Sequence, residues 1–223
     1  MEYPEILRFP PGLIGILKVT LPFVIVAIHV IILYFFVEPT SFFIIIGLMI
    51  TYLLPPAGKE TVIPAGIALG IPWWLIALSI MMIDIETALF MGWNFDLALK
   101  IPVLGGIMES FIEKAREFIR DQPWLKKIYF AGIVVIVMTP VMGSGGIRGS
   151  IIGQLIGMRK IPIFLAIFIG AFIGCFGIAL GAVFLQELFV KSIILGTAAV
   201  AGLIIIALAG WLYHKRYHIS AHE

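Results

Sequence analysis

The chain has 223 residues, is 61% hydrophobic and 13% charged, and carries a formal net charge of +2. A mean hydropathy of +1.13 excludes a soluble globular domain, and so small a net charge offers nothing to nucleic acid. The long apolar runs lack the alternation of barrel strands, which predicts an all-α integral membrane protein.

Residues 1–17 carry Glu2, Glu5, Arg8, Pro10 and Pro11 and are expected at the membrane interface. The apolar run that follows is too long for a leader, so it reads as an uncleaved anchor. Val19–Phe36 is long enough to span and holds His29; Glu38-Pro39-Thr40-Ser41 reads as a polar turn. Phe42–Leu54 falls well short of the roughly 20 residues a spanning helix needs, and Pro55-Pro56 stops it. Beyond Gly58-Lys59-Glu60 a second short stretch, Thr61–Gly70, runs to Pro72. Residues 42–71 therefore read as a re-entrant hairpin. A bilayer cannot hydrogen-bond exposed backbone, so such a break persists only inside protein or along a watery cavity.

Trp73–Trp93 spans again, with Asp84 and Glu86 inside it. In 94–127, Ile107, Phe111, Ile112, Ala115, Phe118 and Ile119 recur at helical spacing opposite Glu109, Glu113, Lys114, Glu117 and Arg120, which predicts an amphipathic interfacial helix. Ile128–Met142 is another short apolar run, ended by Pro140 and Gly143, and Ser150–Gly157 leads back to Arg159-Lys160. Residues 128–160 read as a second re-entrant hairpin. Pro162–Gln186 and Ile193–Tyr213 are full spans, followed by a His214-Lys215-Arg216 tail.

Charge tests this layout. With no net crossing by the hairpins and a cytoplasmic N-terminus, 92–127, Arg159-Lys160 and the tail lie inside. Apart from Lys59 and Arg148, which belong to the hairpins, only Lys191 is then outside, as the positive-inside rule requires. Both termini are then cytoplasmic and the two hairpins enter from opposite faces. The expected fold is one transmembrane domain over 1–223 with two inverted-topology repeats, each a re-entrant helical hairpin plus spanning helices. Repeat one covers about 18–93, the amphipathic linker 94–127 and repeat two about 128–213. Gly66-Ile67-Ala68-Leu69-Gly70 parallels Gly153-Gln154-Leu155-Ile156-Gly157, although such glycine spacing also serves helix packing.

Paired interruptions in two halves of a membrane protein point to a transport site. Glu60 is the sharpest candidate, because a carboxylate at membrane depth is costly unless protonated or paired. It reads as a proton-coupling or cation-binding group with Lys59 as a further substrate- or ion-binding candidate beside it, or else as a local partner of Lys59 or an acid at the positive start of the next helix. Arg148 lies among Gly145, Gly146 and Ser150, whose amides at a helix start form an anion-binding arrangement that an arginine completes. Its alternative is a counter-ion to Glu60 or Asp84. Asp84 and Glu86 stand two apart and face opposite sides of a helix. Asp84 shares an interior face with Ala77, Met81 and Ala88; Glu86 is a second substrate- or ion-binding candidate, with snorkelling or capping as its alternative. Pro56, Gly58, Pro64, Gly66, Gly149 and Gly153 shape the hairpins. His29 reads as a satisfied core histidine, Trp73-Trp74 as an interfacial belt, and His214, His218 and His222 lack a metal-ligand framework. Cys175 is the single cysteine, so no intrachain disulfide is possible. No nucleophile–base arrangement, phosphate-binding loop or zinc-protease motif occurs, so neither an enzyme nor a cofactor is expected.

The run Pro56-Ala57-Gly58-Lys59-Glu60-Thr61-Val62-Ile63-Pro64-Ala65-Gly66 resembles the motif of the small multidrug export protein family. So do Asp84-Ile85-Glu86 with Trp93-Asn94-Phe95-Asp96, and the glycine-rich Gly143–Gly157 segment. That family is distantly similar to the DedA/VTT membrane proteins, a resemblance that implies two inverted re-entrant hairpins. It also implies movement of lipids, including polyprenyl phosphates, between leaflets. The second hairpin departs from the DedA pattern, having Arg148 but no Arg–Pro–Arg.

The leading expectation is a secondary transporter or flippase of the cell membrane, coupled to protons or sodium, carrying an amphipathic or lipid-phosphate substrate. Its site would form where the hairpin tips meet, with Glu60, Asp84 and Arg148 facing one cavity. A cationic-drug exporter and a passive scramblase or structural membrane protein are the alternatives, and self-association is left open.

Overall fold

The computed structural model describes residues 13–54, 56–99, 125–139, 145–194, 196–198 and 201–202. The interfacial start, most of the amphipathic linker, Gly143-Ser144, most of the last span and the histidine tail lie outside the described residues. Contacts divide the chain into Met1–Ala179 and Leu180–Glu223. The second unit contains the end of the long helix that begins at Lys160, and short helical stretches beyond it. All geometry below belongs to the first unit.

The described elements are α-helices: α1 Leu13–Phe36, α2 Pro39–Leu53, α3 Lys59–Ala68, α4 Trp73–Leu99, α5 Leu125–Met138, α6 Gly145–Leu155 and α7 Lys160–Lys191. Gly15–Phe36, Trp73–Phe95 and Lys160–Lys191 are long and apolar enough to cross a membrane, whereas α2 and Ile128–Met138 are shorter apolar helices. Several helices outrun the sequence reading, α1 beginning at Leu13, α4 running to Leu99 and α7 to Lys191, and two further boundaries move for one reason. Proline is accepted in the first turn of a helix, where its missing N–H has no intrahelical partner to lose. Pro39 therefore opens α2 with Glu38 as N-cap, shortening the expected polar turn, and Pro162 lies inside the first turn of α7.

Each short helix folds back on its neighbour. A methyl added at Gly66 would stand 3.2 Å from Leu48 Cδ1 on α2 and 2.7 Å from Ile76 Cγ1 on α4. One added at Gly153 would stand 3.0 Å from Ile133 Cδ1 on α5 and 2.7 Å from Ile163 Cγ1 on α7. The C-terminal turns match as well. Gly70 N–H donates to Ile67 C=O at 3.0 Å and Ile71 N–H to Gly66 C=O at 3.0 Å; Gly157 and Met158 do the same to Gln154 and Gly153 at 2.9 and 3.0 Å. This paired closure puts the residue after the helix in the left-handed region, and Gly70 and Gly157 have φ of +87° and +73°. The glycine parallel noted in the sequence thus marks one turn built twice at a constant offset.

Helix directions follow from the contacts. His29 meets Glu86, Phe23 meets Phe90 with ring centroids 5.6 Å apart, and Asn94 donates to the Lys18 carbonyl at 2.9 Å, so α1 runs antiparallel to α4. α3 also runs against α4, from Lys59 beside Asp84 to Gly66 beside Ile76. α6 runs with α4, from Gly146 beside Asp84 to Gln154, whose Nε2 donates to the Met91 carbonyl at 3.1 Å. The first turns of α3 and α6 therefore approach from opposite directions and meet at Asp84.

On α7, Ile163, Ile167, Ala171 and Cys175 recur every fourth position and are buried. Glycines bring this face close to α5: methyls at Gly170 and Gly174 would stand 2.7 Å from Val134 O and 2.9 Å from Met138 O. Small residues are what allow such close helix approach in membrane proteins. Large apolar side chains such as Phe36, Phe43 and Ile161 point outward.

Candidate functional site

Asp84 lies mid-way along α4 with no exposed surface. Its Oδ2 accepts a hydrogen bond from Lys59 Nζ at 3.0 Å, and its Oδ1 accepts from Tyr52 OH at 2.8 Å and from Gly146 N–H at 3.0 Å. Lys59 is also 0% exposed, and its ammonium donates to the Val137 carbonyl at 2.9 Å. The Tyr52 oxygen in turn accepts from Gly145 N–H at 3.2 Å. One closed network thus ties together α2, α3, α4, α5 and α6.

The helix ends explain why these groups converge. The first N–H groups and the last C=O groups of a helix have no intrahelical partner, leaving its start partly positive and its end partly negative. Gly145 and Gly146 open α6 and offer bare amides, Gly146 to the Asp84 carboxylate and Gly145 to the Tyr52 hydroxyl oxygen. Val137 lies in the last turn of α5 and offers a free carbonyl to the Lys59 ammonium. Charged groups are costly to remove from water and persist when paired with their remaining hydrogen-bonding capacity filled. In the Lys59–Asp84 pair the carboxylate accepts from Lys59, Tyr52 and the Gly146 N–H, and two of the three ammonium N–H groups are taken, by Asp84 and by the Val137 carbonyl.

Glycine is required where α6 meets α4. A methyl at Gly146 would collide with the Asp84 carbonyl oxygen and with Thr87 Oγ1, and one at Gly145 would stand 3.1 Å from Asp84 Oδ2. At Gly149 it would meet Val137 Cγ2 at 2.7 Å. Ser150 is buried, and its Oγ has no hydrogen-bond partner among the described residues. Arg148 is half-buried on α6.

Glu60 is not the partner of Lys59, whose ammonium is turned to Asp84. The Glu60 side chain instead folds back over the N-cap Gly58, where an added methyl would strike its carboxylate. Its Oε2 is buried with no hydrogen-bond partner among the described residues. The cap is closed by Thr61, whose Oγ1 accepts from Gly58 N–H at 3.3 Å and donates to Gly58 C=O at 2.9 Å. Pro56 lies in the break and Pro64 inside α3.

Glu86 does not snorkel. It is 5% exposed, and its Oε1 lies 3.0 Å from His29 Nδ1 on α1. The packing of α1 across α4 covers it and supplies the partner, and His29 is thereby satisfied. Asp84 and Glu86 face different helices, as their spacing requires. The interior face of Ala77, Met81, Asp84 and Ala88 is buried throughout.

Sequence reasoning missed Tyr52 and the Val137 carbonyl. Tyr52 had a signal: a tyrosine one turn before a helix break needs a partner for its hydroxyl once buried. A backbone carbonyl has none, since any residue type could supply it.

A family model described as Putative small multi-drug export protein matches residues 60–176. No curated protein and no solved structure matches the chain. The matched region runs from Glu60 to the residue after Cys175 and includes Asp84 and all of α6.

Proposed function

Because the chain belongs to the small multi-drug export protein family, we propose that it is a secondary membrane transporter in which the Lys59–Asp84 pair couples ion movement to substrate movement. The observation that carries this reading is the fully buried ion pair where the first turns of α3 and α6 meet. Protonation of Asp84 removes the counter-charge of Lys59 and weakens the hold of the α6 amides at the same moment. A ligand shifts a conformational equilibrium only through its different affinity for the two states. A proton taken up at Asp84 has that property, because the closed arrangement requires the carboxylate.

In this reading α2–α3 and α5–α6 are re-entrant hairpins of two inverted repeats in the cell membrane, with both termini cytoplasmic. The opposite senses of α3 and α6 relative to α4 support the inversion, and the positive-inside count supports the orientation. Glu60, whose Oε2 has no hydrogen-bond partner among the described residues, receives the incoming proton or sodium ion beside the pair. Arg148, Ser150 and the glycine-rich start of α6 hold the polar end of an amphipathic, lipid-phosphate-like substrate.

The test is flux in proteoliposomes across a pH step, with labelled polyprenyl phosphate and a cationic dye measured side by side. Wild-type flux of the phosphate should respond to the step, and Asp84→Asn should lose the response while remaining folded. Dye flux that needs the acids and survives Arg148→Gln would favour a cationic-drug exporter. Lipid movement indifferent to pH and to Asp84→Asn would mark a scramblase, and the coupling role would be lost.

A further inference from the structure

A cleft of about 220 Å³ opens between α4, α6 and α7, on the far side of α6 from its glycine-rich start. We infer that it binds one acyl chain of an anionic phospholipid, with the headgroup phosphate at Lys160.

The lining combines buried apolar, exposed apolar and polar residues. Ala88 and Ile163, at 4% and 3% exposure, supply buried apolar wall. Trp93 forms part of the wall, while Ile161 and Leu165, at 73% and 48% exposure, form an open side. A cavity of roughly 150 Å³ with apolar walls accepts a benzene ring, so this one has room for the end of an acyl chain.

The polar groups decide which lipid. Gln154 lines the cleft with one amide N–H given to the Met91 carbonyl, and what remains of its side chain is neutral and does not select a charged headgroup. That leaves Lys160, exposed beside Arg159, with no acidic partner among the described residues. Lys160 is also the first residue of the 32-residue α7, so its charge adds to the positive end of the helix instead of offsetting it. An anion above the cleft answers both. Tail burial gives no preference here, because in a bilayer the competing environment is equally apolar. Selection must come from the headgroup, and a lysine near an anionic lipid surface is worth roughly a five-fold preference at low ionic strength.

This inference rests on membrane insertion but not on coupling at Asp84, so its test reads no flux. The full chain is reconstituted in vesicles containing either phosphatidylglycerol or phosphatidylcholine brominated on the acyl chain. Quenching at Trp93 is taken as the difference between the wild type and Trp93→Phe. Brominated phosphatidylglycerol should quench Trp93 with roughly five-fold tighter apparent affinity than the phosphatidylcholine at low ionic strength. Lys160→Gln should abolish the preference and Lys160→Arg should keep it. Equal quenching by the two lipids overturns the proposal, as does a preference that survives Lys160→Gln. A Trp93 signal insensitive to both lipids also overturns it, because the cleft would then be filled by protein.

Discussion

The two helical hairpins close in the same way and open differently. At their closed ends each has a glycine in the left-handed region, the same pair of backbone hydrogen bonds, and an isoleucine pressed 2.7 Å from the position of an absent methyl. At their tips the parallel ends. α2–α3 brings side chains to Asp84, the Tyr52 hydroxyl and the Lys59 ammonium, whereas α5–α6 brings bare backbone, the Val137 carbonyl and the amides of Gly145 and Gly146. A charge needs both an opposite charge and enough hydrogen bonds to replace lost water. One hairpin supplies the first and the other supplies much of the second, so neither tip is complete alone.

The sharpest break in that division is Lys59→Met, which leaves Asp84 as a buried charge without its cation. Removing one partner of a buried pair costs about 3–5 kcal/mol, which should appear as a large loss of melting temperature in detergent. The double variant Lys59→Met/Asp84→Leu removes the unpaired charge but strands the Tyr52 hydroxyl and the Gly146 N–H, so it should recover only part of that stability and show no pH-dependent flux. A double variant as unstable as the single would mean that Asp84 owes its place mainly to Tyr52 and the α6 amides.

Gly146→Ala tests the backbone side. Its methyl meets the Asp84 carbonyl and Thr87 on a packed helix, and forced overpacking costs about 1–3 kcal/mol, again read as a lower melting temperature. Tyr52→Phe is expected in a similar range. It takes a donor from Asp84 and an acceptor from the Gly145 N–H, and a stranded buried polar group costs about 1–3 kcal/mol. Gly66→Ala and Gly153→Ala should destabilise about equally, since each methyl meets the same isoleucine atom at the same distance. Clearly unequal losses would show that the resemblance of the closed ends is geometric and not energetic. The smallest effect is expected at Gly58→Ala. Its methyl meets only the movable carboxylate of Glu60, so thermal melting should place the cost at or below about 1 kcal/mol.

What the sequence revealed follows the range of the forces involved. Pro55-Pro56 and the glycine-rich run before Arg148 act on their own backbone, so the interruptions in the apolar runs could be read without coordinates. The matched turns were readable for the same reason, because Gly66–Gly70 and Gly153–Gly157 carry the closing chemistry in their residue types. Both Lys59 and Glu60 were candidates, but that Lys59 is the one to pair with Asp84 was not legible. Neighbouring residues on a helix diverge by about 100°, and which one faces Asp84 depends on how α3 lies against α4. The burial of Glu86 was hidden likewise, because its partner His29 stands on another helix and no local rule joins them.

Cys175 has a practical consequence. It is the chain's only cysteine, 0% exposed on the inner stripe of α7, where that helix is held against α5 through Gly170 and Gly174. A thiol reagent can reach it only when that packing loosens. The unaltered protein thus carries its own clock: the rate of maleimide attachment counts how often this part of the bundle opens, with no second thiol to confuse the count.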